Sequence, residues 1–308
     1  MRIAIIGAGA LGGVFGFYLA GVAEVVLVDP WAAHVAAIAA HGLSCERDGV
    51  ASLRPVRAVT DPAEAGPAEL ALVLVKARQT PWAATAAQQL LAPDGVAYTL
   101  QNGLGNHEIL AAALGAHRAG QGVTALGATL LGPGHVRHAG MGATVLAAAP
   151  DRQRAEALVT LLARAGLPAS VSDDVEALVW GKLVVNAGIN ALSALLRVPN
   201  GALAETPAAC ELLAAAVREA AAVAVARGVT LPYPDPVAHV LAVARATAAN
   251  RSSTLQDVLR GAPTEIAAIN GAVAREGTRL AVPTPVNALL ATLIAALEES
   301  AEQRVGEG

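Results

Sequence analysis

Near its amino terminus the chain reads Ile3-Ala4-Ile5-Ile6-Gly7-Ala8-Gly9-Ala10-Leu11-Gly12. An apolar run that breaks into glycines at this spacing leaves few folds open. Gly7 permits a tight turn out of a buried strand, Gly9 lets backbone approach a pyrophosphate, and Gly12 allows a following helix to pack closely on the strand. The first turn of that helix offers unpaired N–H groups to an anion. The pattern predicts a strand, turn and helix that hold a dinucleotide, with Gly7, Gly9, Ala10, Leu11 and Gly12 at the contact. A second apolar run, Val25-Val26-Leu27-Val28, closes on Asp29. A carboxylate there accepts both adenosine ribose hydroxyls and repels a 2′-phosphate. No lysine or arginine occurs between Arg2 and Arg47, so NAD(H) is expected over NADP(H).

Two further apolar runs, Leu70 to Val75 before Lys76 and Val96 to Leu100 before Gln101-Asn102, read as buried parallel strands. Alanine-rich segments of helical length, Pro81 to Leu91 and Gly105 to Leu114, lie between and after them. The alternation predicts an α/β chain: an N-terminal Rossmann-type doubly wound parallel sheet followed by an all-helical C-terminal domain. Ligands of such sheets bind beyond the carboxyl ends of the strands, where Gly7, Asp29, Lys76 and Asn102 are expected together. After Gly120 the sequence predicts a strand, a hairpin around Gly140-Met141-Gly142, a helix from about Asp151 to Ala165 and a strand near Ala169 to Val171. Residues 1–171 are expected to form the dinucleotide-binding domain, and residues 172–308 a helical domain for substrate and dimer contacts. Asp173 with Glu176 has capping-box spacing for a helix running to about Arg197, where Pro199-Asn200-Gly201 stops it. Glu298 to Gly308 reads as a frayed tail.

A net charge of -4 and the absence of any basic run argue against nucleic acid or an anionic membrane as partner. The uncharged stretch from Ile3 to Ala23 is interrupted by six glycines and followed at once by a strand, so export is not expected. Cys45 and Cys210 are isolated, which fits reducing cytoplasm. His135 and His138 have HxxH spacing with no third ligand in sight, so no metal site is expected.

Lysine occurs only at Lys76 and Lys182, whereas arginine fills nineteen positions, the remainder of 21 basic residues. Arginine holds its proton above pH ~12, so a site that must release one keeps lysine. Lys182, Asn186 and Asn190 recur every fourth residue and form one polar stripe on an otherwise apolar helix, suited to the wall of a pocket for a small polar substrate. Asn250-Arg251-Ser252-Ser253 and Glu265 add hydroxyls and a carboxylate. A capped helix start at Thr264-Glu265 is the structural alternative.

These residues resemble the ketopantoate reductase family. The likeness rests on GAGALGG at Gly7 to Gly13, Val75-Lys76-Ala77, Gln101 to Gly105, Trp180-Gly181-Lys182-Leu183 with Asn186 and Asn190, Pro199-Asn200-Gly201, Asn250 through Asp257, and Thr264 to Gly271. By that resemblance Lys182 is the general acid and Glu265 positions substrate and lysine. Asn102, Asn186, Asn190, Asn250 and Ser253 would bind a 2-oxo acid, and Lys76 and Asn102 would lie beside the nicotinamide. The family usually prefers NADPH and carries a basic residue where Asp29-Pro30 stand here. The segment Gly261 to Ala267 also lacks the basic residue and the aspartate often found around Thr-Glu-Ile in the family. The resemblance implies an oxidoreductase that reduces ketopantoate, or a similar branched 2-oxo acid, to the 2-hydroxy acid, and the alanine-rich apolar helices of the second domain suit a homodimer. A β-hydroxyacid or opine-type dehydrogenase and a non-catalytic dinucleotide-binding sensor are the competing readings.

Overall fold

The computed structural model describes residues 1–301, and the chain divides into two compact units. The first comprises Met1–Gln101 and Asn106–Val175; the second comprises Asn102–Gly105 and the chain from Glu176 onward. Most of the expected tail, Glu298 to Gly308, lies outside the described residues.

In the first unit the chain runs β1 (Arg2–Ile6), α1 (Ala10–Leu19), β2 (Glu24–Val28), α2 (Ala32–His41), β3 (Leu43–Arg47), β4 (Val50–Arg54), β5 (Arg57–Val59) and β6 (Ala68–Val73). It continues through α3 (Thr80–Leu90), β7 (Leu91–Thr99), α4 (Asn106–Leu114), β8 (Ala119–Thr124), β9 (Gly127–Gly132), β10 (His135–Gly140), β11 (Thr144–Ala147), α5 (Arg152–Arg164) and β12 (Ala169–Ser172). An eight-stranded sheet has the order β12-β11-β8-β7-β6-β1-β2-β5. Its central strands are apolar along residues 3–6, 70–73 and 96–98, where both faces are covered. Ile3 and Ile5 of β1 pack in one layer with Phe15, Leu27, Leu70 and Tyr98, while Ala4 and Ile6 point into the other with Val26, Val73 and Ala87. Each fully buried isoleucine contributes roughly 1.5–3 kcal/mol by leaving water.

The expected α/β alternation is present, with three corrections. The sheet is not wholly parallel, since β11 pairs antiparallel with β8. The hairpin turns at Pro133-Gly134, between β9 and β10, rather than at residues 140–142. Gly142 imitates a turn glycine but serves close packing, because a Cβ there would lie 2.2 Å from the Ala125 carbonyl carbon. The third correction is at Lys76: β6 ends at Val73, and after Leu74 donates to the Ile6 carbonyl (2.8 Å) the chain leaves the sheet, so Lys76 stands in the loop beyond the strand.

A second, four-stranded sheet, β4-β3-β10-β9, has no counterpart in the sequence reading. It packs on α1, and Gly13 makes the approach possible: a Cβ there would come 2.6 Å from Val136 Cγ1 of β10.

The second unit contains α6 (Val175–Leu196), α7 (Asn200–Glu205), α8 (Pro207–Ala226), α9 (Pro236–Ala246), α10 (Ser253–Leu259), α11 (Asn270–Arg279) and α12 (Pro285–Glu299). No strand occurs in it among the described residues. Helix α6 is long and apolar enough to cross a membrane, but its apolar side chains form a core instead. Trp180, Leu183, Val184, Ala187 and Ala191 pack in one buried cluster with Leu213, Val217, Ala220 and Val223 of α8. Asp173 does not open this helix as a capping box would require: its carboxylate pairs with Arg152, and Glu176 takes Arg227 at 3.0 Å. Nor does Pro199-Asn200-Gly201 merely end α6, since Asn200 is the first residue of α7.

Candidate active site

In the first unit the glycine loop connects β1 to α1 as the motif requires. Gly7 has φ +96, and a Cβ would strike the Val75 backbone nitrogen at 2.6 Å. At Gly12 a Cβ would lie 1.8 Å from the Gly7 carbonyl oxygen, so helix and turn touch there without space for a methyl group. Gly9 differs, since a Cβ would meet nothing within 4 Å. Helix α1 begins there with no side-chain cap and no acidic residue in its first turn. Bare backbone, open space and a positive helix end together suit an anionic pyrophosphate. Ala10 and Leu11, in that first turn, are partly buried.

Asp29 lies just past the end of β2 and braces this loop: its Oδ2 accepts the Ala8 N–H at 2.8 Å and its Oδ1 the Trp31 N–H at 2.9 Å. Each carboxylate oxygen retains a second lone pair for a hydroxyl donor. Lys76 is partly buried in its loop, and Gln101 locks the neighbouring backbone by donating to the Val75 carbonyl at 2.8 Å.

Asn102 makes its own contacts within the second unit. Gly103 follows it at φ +82, where a Cβ would lie 2.2 Å from the Ala268 carbonyl oxygen, and Leu104 donates its N–H to that same oxygen at 3.0 Å. The segment is thereby built into the second unit, and the Asn102 Nδ2 donates to Glu265 Oε2 at 3.0 Å. Glu265 is 7% exposed and spends its carboxylate there rather than on capping the short helix that follows it.

The polar stripe on α6 exists as spaced. Lys182 and Asn186 are partly buried, and Asn190 is 5% exposed with its Nδ2 donating to Ser253 Oγ at 3.4 Å. Desolvation pulls the Lys182 pKa down to about 8, while the negative charge of Glu265 pulls the other way and keeps it from falling further. An amine tuned to this range can both hold and release a proton near neutral pH. Asn250, by contrast, is exposed.

The structure explains two motifs whose roles were missed. The Asn200 N–H donates to the Asn250 carbonyl at 3.0 Å, and the Gly201 N–H donates to Ala248 at 3.1 Å, so the α7 N-terminus anchors the segment that carries Asn250. Only glycine fits at 201, where a Cβ would come 2.6 Å from that of Ala248. Ser252 caps α10 by accepting the Leu255 N–H at 3.1 Å and receives the Ser193 hydroxyl at 2.7 Å. Ser193 lies three residues past Asn190 on the same helix, and that spacing was the available signal.

A family model described as ketopantoate reductase PanE/ApbA matches residues 3–151, and one for the ketopantoate reductase PanE/ApbA C terminal matches residues 174–298. A 2-dehydropantoate 2-reductase of Halobacterium salinarum is 36% identical over 299 residues, spanning 96% of this chain and 98% of the relative. Among solved structures, D-mandelate dehydrogenase in ternary complex with NADH and anilino(oxo)acetate is 32% identical, with a TM-score of 0.91 over 98% of this chain and 99% of that one. A PanE/ApbA family ketopantoate reductase from Ralstonia eutropha JMP134 is 36% identical, with a TM-score of 0.90 over 98% of this chain and 100% of the other. Families of matching models and full-length relatives agree with the two sets of residues described above: this chain belongs to the ketopantoate reductase PanE/ApbA family.

Proposed function

We propose that this protein is an oxidoreductase that reduces ketopantoate, or a similar branched 2-oxo acid, to the 2-hydroxy acid with a nicotinamide dinucleotide. The observation that carries the reading is a partly buried lysine with its pKa near 8 beside a buried carboxylate, on a stripe of carboxamides. The nicotinamide supplies the hydride when bound. The chain's residues must then manage the charge left on the carbonyl oxygen. The Lys182 ammonium stabilises that oxygen and gives it a proton, the general acid step. Glu265 keeps the lysine protonated and is itself held by Asn102. Asn186, Asn190, Asn250 and Ser253 offer hydrogen bonds that orient the oxo acid.

Residues 1–171 act as the dinucleotide domain through Gly7, Gly9, Ala10, Leu11 and Gly12, with Lys76 toward the nicotinamide; residues 172–308 carry substrate and dimer contacts. Asp29 supports NADH over NADPH, because a 2′-phosphate would meet its carboxylate. The protein is read as a cytoplasmic homodimer without nucleic-acid or membrane partners. Leu289 and Leu293, exposed one turn apart on α12, support the dimer face.

A second reading has a specific observation behind it: one close structural neighbour is a D-mandelate dehydrogenase bound to NADH. This reading assigns an aryl 2-oxo acid as substrate with the same lysine and cofactor. A panel of 2-oxo acids, including ketopantoate and benzoylformate, assayed with NADH and NADPH tests both. The highest kcat/KM is expected for ketopantoate with NADH. Benzoylformate as the better substrate would favour the second reading, and no turnover of any 2-oxo acid would refute both.

A further inference from the structure

Building on the dinucleotide reading, we infer that His34 is a positioning residue of the dinucleotide site, fixing the peptide between Gly7 and Gly9 and tying it to the β9–β10 hairpin. His34 lies on the first turn of α2 and is 0% exposed. Its Nδ1 faces the Gly134 N–H at 3.0 Å, a group that can only donate. That ring nitrogen is therefore unprotonated, and the proton sits on Nε2, which donates to the Ala8 carbonyl at 2.9 Å. Burial lowers the pKa of the ring against the pull of the Asp29 carboxylate, which favours this neutral tautomer.

Ala8 is the middle residue of the turn, and protein groups occupy both of its polar atoms. Its N–H goes to Asp29 Oδ2 and its carbonyl to His34. The other Asp29 oxygen takes the Trp31 N–H, and the Trp31 indole stacks on the His34 imidazole with centroids 5.1 Å apart and planes at 10°. The contacts form a closed circuit through Ala8, Asp29, Trp31 and His34. With both sides of the Ala8 residue fixed, Gly9 is held facing open space, and Asp29 is held in the orientation a ribose would meet. Trp31 remains 41% exposed on the outer side of this circuit. The second anchor is firm as well, because Gly134 has φ +69 and its carbonyl accepts the Ser44 N–H at 2.8 Å.

A histidine that merely fills the core would affect melting without affecting ligand affinity. The deciding experiment is equilibrium titration of NADH and NADPH, at a temperature well below melting, into wild type and His34→Leu, His34→Asn and His34→Gln. Leucine removes both hydrogen bonds, asparagine is too short to span them, and glutamine can accept from Gly134 and donate to Ala8. NADH dissociation constants are expected to rise by about tenfold or more in the Leu and Asn variants, as for loss of one or two neutral hydrogen bonds, and to return to within about threefold of wild type with Gln. If the Leu variant does not fold, the contrast of Asn with Gln decides alone. Binding within about twofold of wild type in a folded Leu or Asn variant, or a Gln variant as weak as Asn, would overturn the inference while leaving the dinucleotide reading intact. A wild type that binds neither nucleotide would overturn both.

Discussion

The glycine loop of the first unit and the lysine stripe of the second build their sites from opposite materials. At the loop the chemistry is backbone, exposed because side chains are missing, and one continuous segment supplies nearly all of it. In the helical unit the chemistry is side chain: Lys182 and Asn190 come from α6, and Asn102, Ser253 and Glu265 from three other segments, held by contacts such as Ser193 to Ser252. A backbone site is damaged by adding atoms, and a side-chain site by removing them.

The largest expected effect follows from deletion at the second site. Lys182→Ala should lower kcat for 2-oxo acid reduction by about a hundredfold or more while NADH affinity stays near wild type, as for loss of a general acid. Weakened NADH binding in that variant would show that the two sites do not divide the work this way. Addition at the first site is next. Gly12→Ala places a methyl group into the Gly7 carbonyl and should destabilise the fold by about 1–3 kcal/mol as well as weaken NADH binding. Gly9→Ala meets no protein atom, so it should leave the melting temperature unchanged and weaken NADH binding alone. Thermal melts alongside titrations separate the two, and equal melting losses would mean that Gly9 is structural.

Smaller again, Asn190→Ala should raise the KM for the oxo acid by about fivefold, the loss of roughly 1 kcal/mol of hydrogen bonding. An unchanged KM would remove Asn190 from the substrate wall. A separate expectation concerns stability. Because the folded state holds the Lys182 pKa near 8, below the ordinary 10.5, the unfolded chain binds more protons between these values and stability should rise with pH across that window. Lys182→Met should flatten that rise in melts run across the same range, and an unchanged slope would mean that the buried ammonium is not its source.

The same contrast governs what was legible in the sequence. The loop could be read because its demands are local: a positive φ at Gly7, space at Gly9 and contact at Gly12 fall within one motif. The α6 stripe was legible because helical periodicity puts Lys182, Asn186 and Asn190 on one side. The bond from Asn102 to Glu265 was not, since it depends on Gly103 pressing against Ala268, far away in sequence. The second sheet was missed although Asp48-Gly49, both at positive φ, carries a hairpin signature between β3 and β4. Its strands are mostly partly or fully exposed, so they lack the continuous apolar runs that revealed β1, β2, β6 and β7. His34 was unreadable for another reason: its partners, Ala8 and Gly134, contribute only backbone atoms.

The most direct test is the pH dependence of kcat/KM for ketopantoate reduction by NADH. If the Lys182 ammonium donates the proton, the rate should be level below its pKa of about 8 and fall about tenfold per pH unit above it, with the fall shifted to lower pH in Glu265→Gln, where the charge that supports protonation is gone. A profile that remains level to about pH 10, or one unmoved by Glu265→Gln, would contradict the assignment of Lys182 as the acid.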